Sequence, residues 1–266
     1  MRGARSKKIV LWSIIWFNII TLSLPTVIVI GASFTAGEII QFPPEGFSLR
    51  WYQKLWQLDD FQPALMRTFY VSIICTLISI PVGTLAAIAT VRYRFRFRKS
   101  IQVYLLLPFT IPLVVSGISM MIFFGEIRIL GSLWPVGMAL CIINLPFMIW
   151  SVSASVNALD PELENAAYNC GAPPVQAFLT VTLPAVMPGV ITGSMLMFIL
   201  AFNEFLVSLF LTDSRTVTLP VQIYNSIRSI ITPDLAAVSV IYIVIALIAV
   251  WLLDRLVGLE IFLRSK

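Results

Sequence analysis

Long apolar runs dominate this chain, and they constrain its fold more than any other feature. Six of them are close to the length that crosses the hydrocarbon core of a bilayer as a helix, which is about 20 residues. Because lipid offers no partner to an unpaired backbone group, the sequence predicts an all-α, polytopic membrane protein. The predicted spans are residues 9–31, 64–91, 101–125, 132–152, 187–211 and 235–257 of a single domain, 1–266.

The composition agrees with lipid as the main solvent of the chain. Of its residues, 59% are hydrophobic and 12% are charged, whereas soluble proteins have roughly 25% charged residues. The net charge of +5 would suit a nucleic acid, but the basic residues lie at the ends of apolar runs. We therefore interpret them as topology signals and expect no nucleic-acid partner. The first run lacks a small-residue cleavage site, so we expect a retained helix rather than a signal peptide.

The distribution of Lys and Arg predicts the orientation. Short loops rich in these residues stay on the cytoplasmic side, and they precede the first span, separate the second from the third, and follow the sixth. The alternating run Arg92–Arg98 is interpreted as an anchor at anionic lipid headgroups rather than a nucleic-acid-binding ribbon. Both termini and the loop at 153–186 are thus predicted to be cytoplasmic, and 32–63 to form an ordered cap on the outer side.

The sequence contains no arrangement of residues that would support catalysis or bind a metal. It has no histidine, and its three cysteines, Cys75, Cys141 and Cys170, lack metal-ligand spacing. We expect no disulfide, no metal and no catalytic residue. Because a Gly-rich loop with Gly-Lys-Ser/Thr is also missing, we expect no cofactor in this chain, and any ATP and Mg²⁺ must be bound by a partner.

The loop at 153–186 carries signals for a short helix. Asp160 followed by Pro161 predicts its start, because the carboxylate accepts free first-turn amides and proline fits the first helical position. Gly171 is placed to end the helix in a left-handed conformation. The residues alone leave two roles open for it, a plain amphipathic surface helix or a docking element for another protein.

A second short helix is predicted after the first. Pro173 and Pro174 begin it, and it is expected to close before Leu183 and Pro184. Two small helices between membrane spans would present a cytoplasmic knob.

Part of this loop resembles the cytoplasmic motif of bacterial ABC importer permeases, which reads Glu-Ala-Ala, three residues, Gly, nine residues, Ile, one residue, Leu-Pro. Asn165 stands for the usual glutamate, Val181 stands for the isoleucine, and the spacing matches throughout. Glu164, one position earlier, is expected to supply the missing acid. The resemblance implies a coupling helix that sits in a groove of a partner ATPase, with coupling residues Glu164, Asn165, Ala166, Ala167, Gly171, Leu183 and Pro184.

Two further stretches, Phe42–Tyr52 and Phe202–Phe205, are similar to the second membrane subunit of the spermidine/putrescine branch of these permeases. The resemblance implies a type I importer permease in the bacterial inner membrane, not itself an enzyme. Its partners would be membrane lipid, a second, similar but non-identical permease subunit, two ATPase subunits and a periplasmic binding protein. Its substrate would be a polyamine, with another amine, an aminophosphonate or a metal as alternatives.

Glu204 is the most informative ionisable side chain in the predicted spans. Within 187–211 it would lie roughly 7 to 8 Å from mid-bilayer, with Asn203 beside it. We predict both as substrate-pathway residues, because a carboxylate there would receive an ammonium group. The alternatives are a structural hydrogen bond, a protonated carboxyl, or the coupling site of an ion-driven secondary transporter, for which the chain lacks a convincing internal repeat. Phe198 and Phe202 on the same helix are expected to pack rather than bind cations.

Small residues and prolines predict close packing and kinks. Gly189 and Gly193 would let two helices approach closely, either within the chain or across to a partner. Pro108 and Pro112 are expected to interrupt the third span.

Overall fold

The computed structural model describes residues 2–39, 43–44, 46–55, 60–229 and 232–257. In these ranges all regular structure is helical, which confirms the predicted all-α class. Phe42 and Glu45, part of the stretch that resembles polyamine permeases, lie outside the described residues. The helices are α1 Arg2–Ser33, α2 Arg50–Leu55, α3 Phe61–Arg92, α4 Arg98–Thr110, α5 Leu113–Glu126, α6 Leu133–Ala158, α7 Pro161–Asn169, α8 Pro174–Ala177, α9 Leu183–Phe202, α10 Leu206–Leu211, α11 Leu219–Ser229 and α12 Pro233–Val257, with a π-helical turn at Phe178–Thr182.

Four described helical segments are long and apolar enough to cross a membrane, and the bent α4–α5 pair is a fifth candidate. The four are Val10–Ser33, Phe61–Arg92, Leu133–Ala158 and Pro174–Phe202. These five fall on the first five predicted spans. The sixth predicted span falls on α12, whose described apolar part, Pro233–Ala249, is shorter.

The chain divides into two compact units, of which the smaller contains residues 1–62 and 223–245. In it, the segment after α1 is fixed by side-chain contacts. The Trp51 indole N–H donates to the Thr35 carbonyl at 2.9 Å, and the Ser33 and Tyr52 hydroxyls lie 2.6 Å apart. This segment, predicted as an ordered cap, is thus ordered over its described residues.

The larger unit, residues 63–222 and 246–266, has α6 at its centre. Although Pro135 and Pro146 fall within the predicted span 132–152, α6 is one helix that continues to Ala158. Pro135 falls in its first turn, where no amide donor is needed. The α6 residues that are almost completely buried are Val136, Ala139, Leu140, Met148 and Val152.

The two glycines of α9 allow it to pack closely on α6. A Cβ atom at Gly189 would lie 2.8 Å from the Ser151 carbonyl oxygen, and one at Gly193 would lie 2.5 Å from the Met148 sulfur. The Ser151 hydroxyl also donates to the Gly189 carbonyl at 2.9 Å. Of the two predicted uses of this glycine pair, close packing within the chain is therefore the one observed.

The third predicted span, 101–125, is not one continuous helix. It breaks into α4 and α5, whose axes differ by 99°. Ile111 at the break is extended, with φ −84° and ψ 132°, as expected for a residue that precedes a proline. The predicted interruption at Pro112 is thus confirmed, whereas the one predicted at Pro108 is wrong, because Pro108 lies inside α4.

The boundaries predicted around the fifth span are wrong at both ends. The helix that begins at Pro174 does not close before Leu183 but continues as one 29-residue segment to Phe202. In its π turn the Leu183 amide bonds to the Phe178 carbonyl, and the widened turn makes room for Pro184, which has no amide and crowds the preceding turn. Beyond Phe202 the helix stops, and α10 begins at Leu206.

Replacing Gly189 with alanine is expected to destabilise the protein. Overpacking costs about 1–3 kcal/mol, which exceeds the gain of about 1 kcal/mol from removing a helical glycine, because the carbonyl of Ser151 cannot rotate away. The measurement is the melting temperature in detergent. Gly125→Ala is the control, since its Cβ would meet only an ordinary contact of 3.5 Å. Equal melting temperatures for both variants would contradict the prediction.

Candidate coupling and pathway sites

The start of α7 is formed as its sequence predicts. Asp160 precedes the helix, and its carboxylate accepts a hydrogen bond from the Glu162 amide at 3.0 Å. Pro161 is the first helical residue. The Asn165 side chain donates to the Glu162 carboxylate at 3.3 Å.

The end of α7 confirms the predicted role of Gly171. This residue has φ +84°, which costs glycine little and other residues more. Its amide bonds to the Tyr168 carbonyl at 2.9 Å, and the Ala172 amide bonds to the Ala167 carbonyl at 3.1 Å. These paired bonds end the helix with its last carbonyls satisfied.

Glu164 attaches α7 to the membrane helices. One carboxylate oxygen accepts a hydrogen bond from the Thr182 hydroxyl at 2.6 Å, in the π turn. The other oxygen lies 3.9 Å from an Arg92 guanidinium nitrogen, which also donates to the Leu159 carbonyl at 3.0 Å. Glu164 and Arg92 thereby connect α7 with the ends of α3 and α6 and with the turn that leads into α9.

The contact with Thr182 is the stronger of the two at Glu164. At 3.9 Å the Arg92–Glu164 pair is long, and its side chains are 17% and 20% exposed, so it resembles surface pairs worth about 0–1 kcal/mol. A hydrogen bond to a charged group contributes about 1.5–3 kcal/mol. Thr182 is buried, so its hydroxyl has little access to water.

The other side of α7 is exposed. Leu163 and Tyr168 have 53% and 47% of their surface accessible, and Asn165 and Ala166 are exposed as well. Glu164 is only partly accessible. The helix therefore has an attached side and a free side with apolar and polar groups.

The two halves of the predicted motif meet at Glu164. Thr182, which bonds to it, directly precedes Leu183 and Pro184 at the start of α9. Sequence reasoning missed Thr182 and the partner role of Arg92. Thr182 occupies an unspecified motif position, and Arg92 is far away in sequence, so no local signal indicated either contact.

The prediction that Glu204 lies inside a helical span is wrong, because the residue lies in the break between α9 and α10. Its carboxylate accepts the Val207 amide at 2.8 Å and the Ser208 amide and hydroxyl at 3.0 and 3.2 Å. The helix break follows from these bonds, because free amides at a helix start favour a carboxylate. The exposed Asn203 donates to the Ile199 carbonyl at 2.9 Å.

The residues predicted for coupling and those predicted for the substrate pathway lie at opposite ends of α9. The helix has 20 residues and is therefore about 30 Å long. The nearby phenylalanines pack as predicted: Phe202 is 1% exposed, and its ring centroid lies 5.1 Å from that of Phe69 and 5.6 Å from that of Phe198.

The described residues include no group of three His, Cys, Asp or Glu side chains that would hold a metal ion. The three cysteines are free thiols, with Cys75 and Cys141 buried and Cys170 exposed.

Comparison with known proteins gives a family match over residues 79–259, to the model described as binding-protein-dependent transport system inner membrane component. The matched range includes α7, the π turn and α9.

Curated relatives cover most of the chain. The spermidine/putrescine transport system permease protein PotC of Haemophilus influenzae is 27% identical over 226 residues, which is 85% of this chain and 88% of that protein. The molybdenum transport system permease protein ModB of Mycobacterium bovis is 30% identical over 218 residues, which is 75% of this chain and 82% of that protein.

A solved structure shares the fold. A chain of a bacterial ABC transporter involved in the import of the acidic polysaccharide alginate superimposes with a TM-score of 0.76, covering 96% of this chain and 98% of that chain at 15% identity.

Thr182→Val is expected to loosen α7. The change keeps the shape of the side chain but leaves a Glu164 oxygen without its hydroxyl donor, which costs about 1–3 kcal/mol. Hydrogen–deuterium exchange should therefore be faster across 161–171, by roughly tenfold for each 1.4 kcal/mol. Thr180→Val is the matched control, because its hydroxyl bonds to the Gln176 carbonyl of its own helix. Unchanged exchange in Thr182→Val would refute the anchoring role of Glu164.

Proposed function

This chain belongs to the family of binding-protein-dependent transport system inner membrane components, and we propose that it forms half of the translocation pathway of an ATP-driven importer for polyamines. The observation that carries the proposal is the family match, which includes the whole coupling segment from α7 to α9. As a permease subunit of the inner membrane, the chain takes its energy from a partner ATPase.

In the proposed topology, the chain crosses the membrane six times as one permease domain with both termini in the cytoplasm. The α12 helix supplies the sixth span, and α4 with α5 form one bent span. This orientation agrees with the preference of basic segments for the cytoplasmic side. It places inside both the run of Arg and Lys between α3 and α4 and the basic N-terminal segment. The loop containing α7 lies on the same side.

We assign α7 as the coupling helix. Its free side, with Leu163, Ala166 and Tyr168, faces a groove of an ATPase subunit, and Asn165 takes the place of the motif glutamate there. Its attached side transmits movement through Glu164 and Thr182 into α9. Gly171 ends the helix, and Leu183 and Pro184 begin the segment that moves with it.

The proposed assembly has two permeases, this chain and a similar non-identical one, above two ATPase subunits. A periplasmic binding protein delivers the substrate. ATP-driven closure of the ATPases opens the pathway outward, and hydrolysis resets it inward. A solved alginate importer in complex with its substrate-bound periplasmic protein has a chain of this fold, with a TM-score of 0.73.

The polyamine substrate is supported by the similarity to PotC and by the charge of the pathway residues. Glu204 would attract an ammonium group at 4 Å by roughly 4 kcal/mol at an effective dielectric near 20, before desolvation. Its carboxylate has about four acceptor sites, of which three are occupied. Glu204 therefore offers a single weak contact, with Asn203 beside it, and selectivity rests on the binding protein.

The similarity to ModB favours a second candidate substrate, a metal oxyanion. An anion at this position would meet the charge of Glu204, which disfavours it. We therefore rank the polyamine first.

ATPase stimulation tests the substrate. The complete importer, reconstituted with its binding protein, is expected to hydrolyse ATP faster with spermidine or putrescine than with molybdate or an aminophosphonate. Stimulation by molybdate or an aminophosphonate alone would overturn the polyamine assignment, but the assignment as an importer would stand. Uptake without nucleotide would overturn the ATP-driven mechanism.

Gly171→Asp is expected to uncouple hydrolysis from uptake while the protein remains inserted. Space is available, since nothing lies within 4 Å of an added Cβ. Aspartate, like asparagine, tolerates the left-handed backbone, but its negative charge at the helix C-terminus costs about 0.3–1 kcal/mol, so uptake should fall roughly two- to fivefold.

Gly171→Asn is the matched control, because asparagine tolerates this backbone conformation and adds no charge. It should retain most of the uptake. Normal uptake in Gly171→Asp would count against the coupling role of α7.

A further inference from the structure

A cleft opens between the ends of α3, α4 and α6. Its volume is about 560 Å³, within the range of roughly 300–1,000 Å³ in which small-molecule sites fall. Most of its lining is apolar or aromatic. The side chains that define this character are Leu105, Leu106, Phe109, Phe147, Ile149 and Trp150.

The lining also contains four polar residues, Thr90, Gln102, Thr110 and Ser153, and the first two meet at one end of the cleft. The Gln102 side chain donates to the Thr90 carbonyl at 3.3 Å and closes the space between α3 and α4 there. From Gln102 to Phe109, α4 rises by about 10 Å, so the cleft continues along the helix into apolar surroundings. The lining contains no Asp or Glu, which makes it a poor site for a polyamine.

Basic residues lie close in sequence to the lining residues at this end, although none of them is part of the lining. Thr90 lies four residues before Arg94, and Gln102 lies one turn after Arg98. Arg94 and Arg96 are exposed, and no carboxylate of the described residues forms an ion pair with either of them. Trp150 is 73% exposed, in a position typical of indole rings at the headgroup boundary.

We propose that this cleft binds one acyl chain of an anionic phospholipid, whose phosphate is held by Arg94 and Arg96. The charges suit an anion and the lining suits hydrocarbon, and an anionic phospholipid carries both. The proposal rests on the proposed orientation, which puts the basic turn at the cytoplasmic leaflet. Arg92 lies two residues before Arg94, so the lipid would bind next to the contact that anchors α7.

Native mass spectrometry of the complete importer tests the proposal. The complex is delipidated and then exposed to phosphatidylglycerol or phosphatidylcholine with the same acyl chains. We expect selective retention of phosphatidylglycerol. An Arg94→Gln/Arg96→Gln variant should retain it about thirtyfold less, the order expected on removing two basic groups worth about 1 kcal/mol each at an anionic surface.

Three further variants separate the contributions of charge and cleft. Arg94→Lys/Arg96→Lys should retain the lipid, because it keeps both charges. Leu106→Trp should lose it, because the larger side chain fills the cleft while the basic turn is unchanged. Arg128→Gln/Arg215→Gln, a pair in other loops, is the control and should retain it.

Several outcomes would overturn the proposal. One is equal retention of the two lipids, and another is unchanged retention in the double glutamine variant. A third is complete displacement by inorganic phosphate, which would mean that the cleft contributes nothing. A fourth is cross-linking of a Leu106→Cys variant to the partner permease, which would assign the cleft to a subunit interface and not to a lipid. None of these results depends on which solute the importer carries.

Discussion

The hydrogen bond between Glu164 and Thr182 is the interaction on which the proposed coupling depends. Without it, α7 would be a nine-residue helix joined to the membrane helices by chain connections and the long Arg92–Glu164 pair, and helices of this length have little stability by themselves. The bond is 2.6 Å long, its donor is buried, and one partner is charged. A displacement of α7 is therefore passed to the turn at the start of α9 rather than absorbed by the loop.

The shape of α9 determines how far such a displacement travels. With α8 and the π turn, α9 forms one continuous segment from Pro174 to Phe202, and the π turn accommodates Pro184 without ending that segment. Its glycines pack directly against α6, so close that a methyl group at Gly189 would meet backbone. A tightly packed helix pair moves as a unit, because interiors at this density do not deform gradually. Movement at the Glu164 end is thus expected to reach the Glu204 end.

Sequence reasoning succeeded where the signal is local and failed where it depends on packing. The start of α7 at Asp160 and its end at Gly171 follow from backbone chemistry that a few neighbouring residues determine. The predicted boundaries of the fifth span are wrong because the sequence stays apolar through both the π turn and the break at Glu204. Arg92 and Thr182 were missed because their roles come from contacts across the fold, which no spacing in the sequence indicates.

The position of Glu204 has a consequence for substrate binding. The α10 helix has six residues, and two of its amides depend on this carboxylate. An ammonium group that approaches the remaining acceptor site does not need to break these bonds, so substrate and helix share one charge. In the proposed pathway, the ammonium group and the α10 amides weaken each other's bonds to Glu204 only modestly, because a carboxylate accepts several donors. When α9 shifts, however, Glu204 moves relative to α10, and the same displacement that strains the amide bonds removes the substrate contact. Release toward the cytoplasm would then follow from the movement of α9.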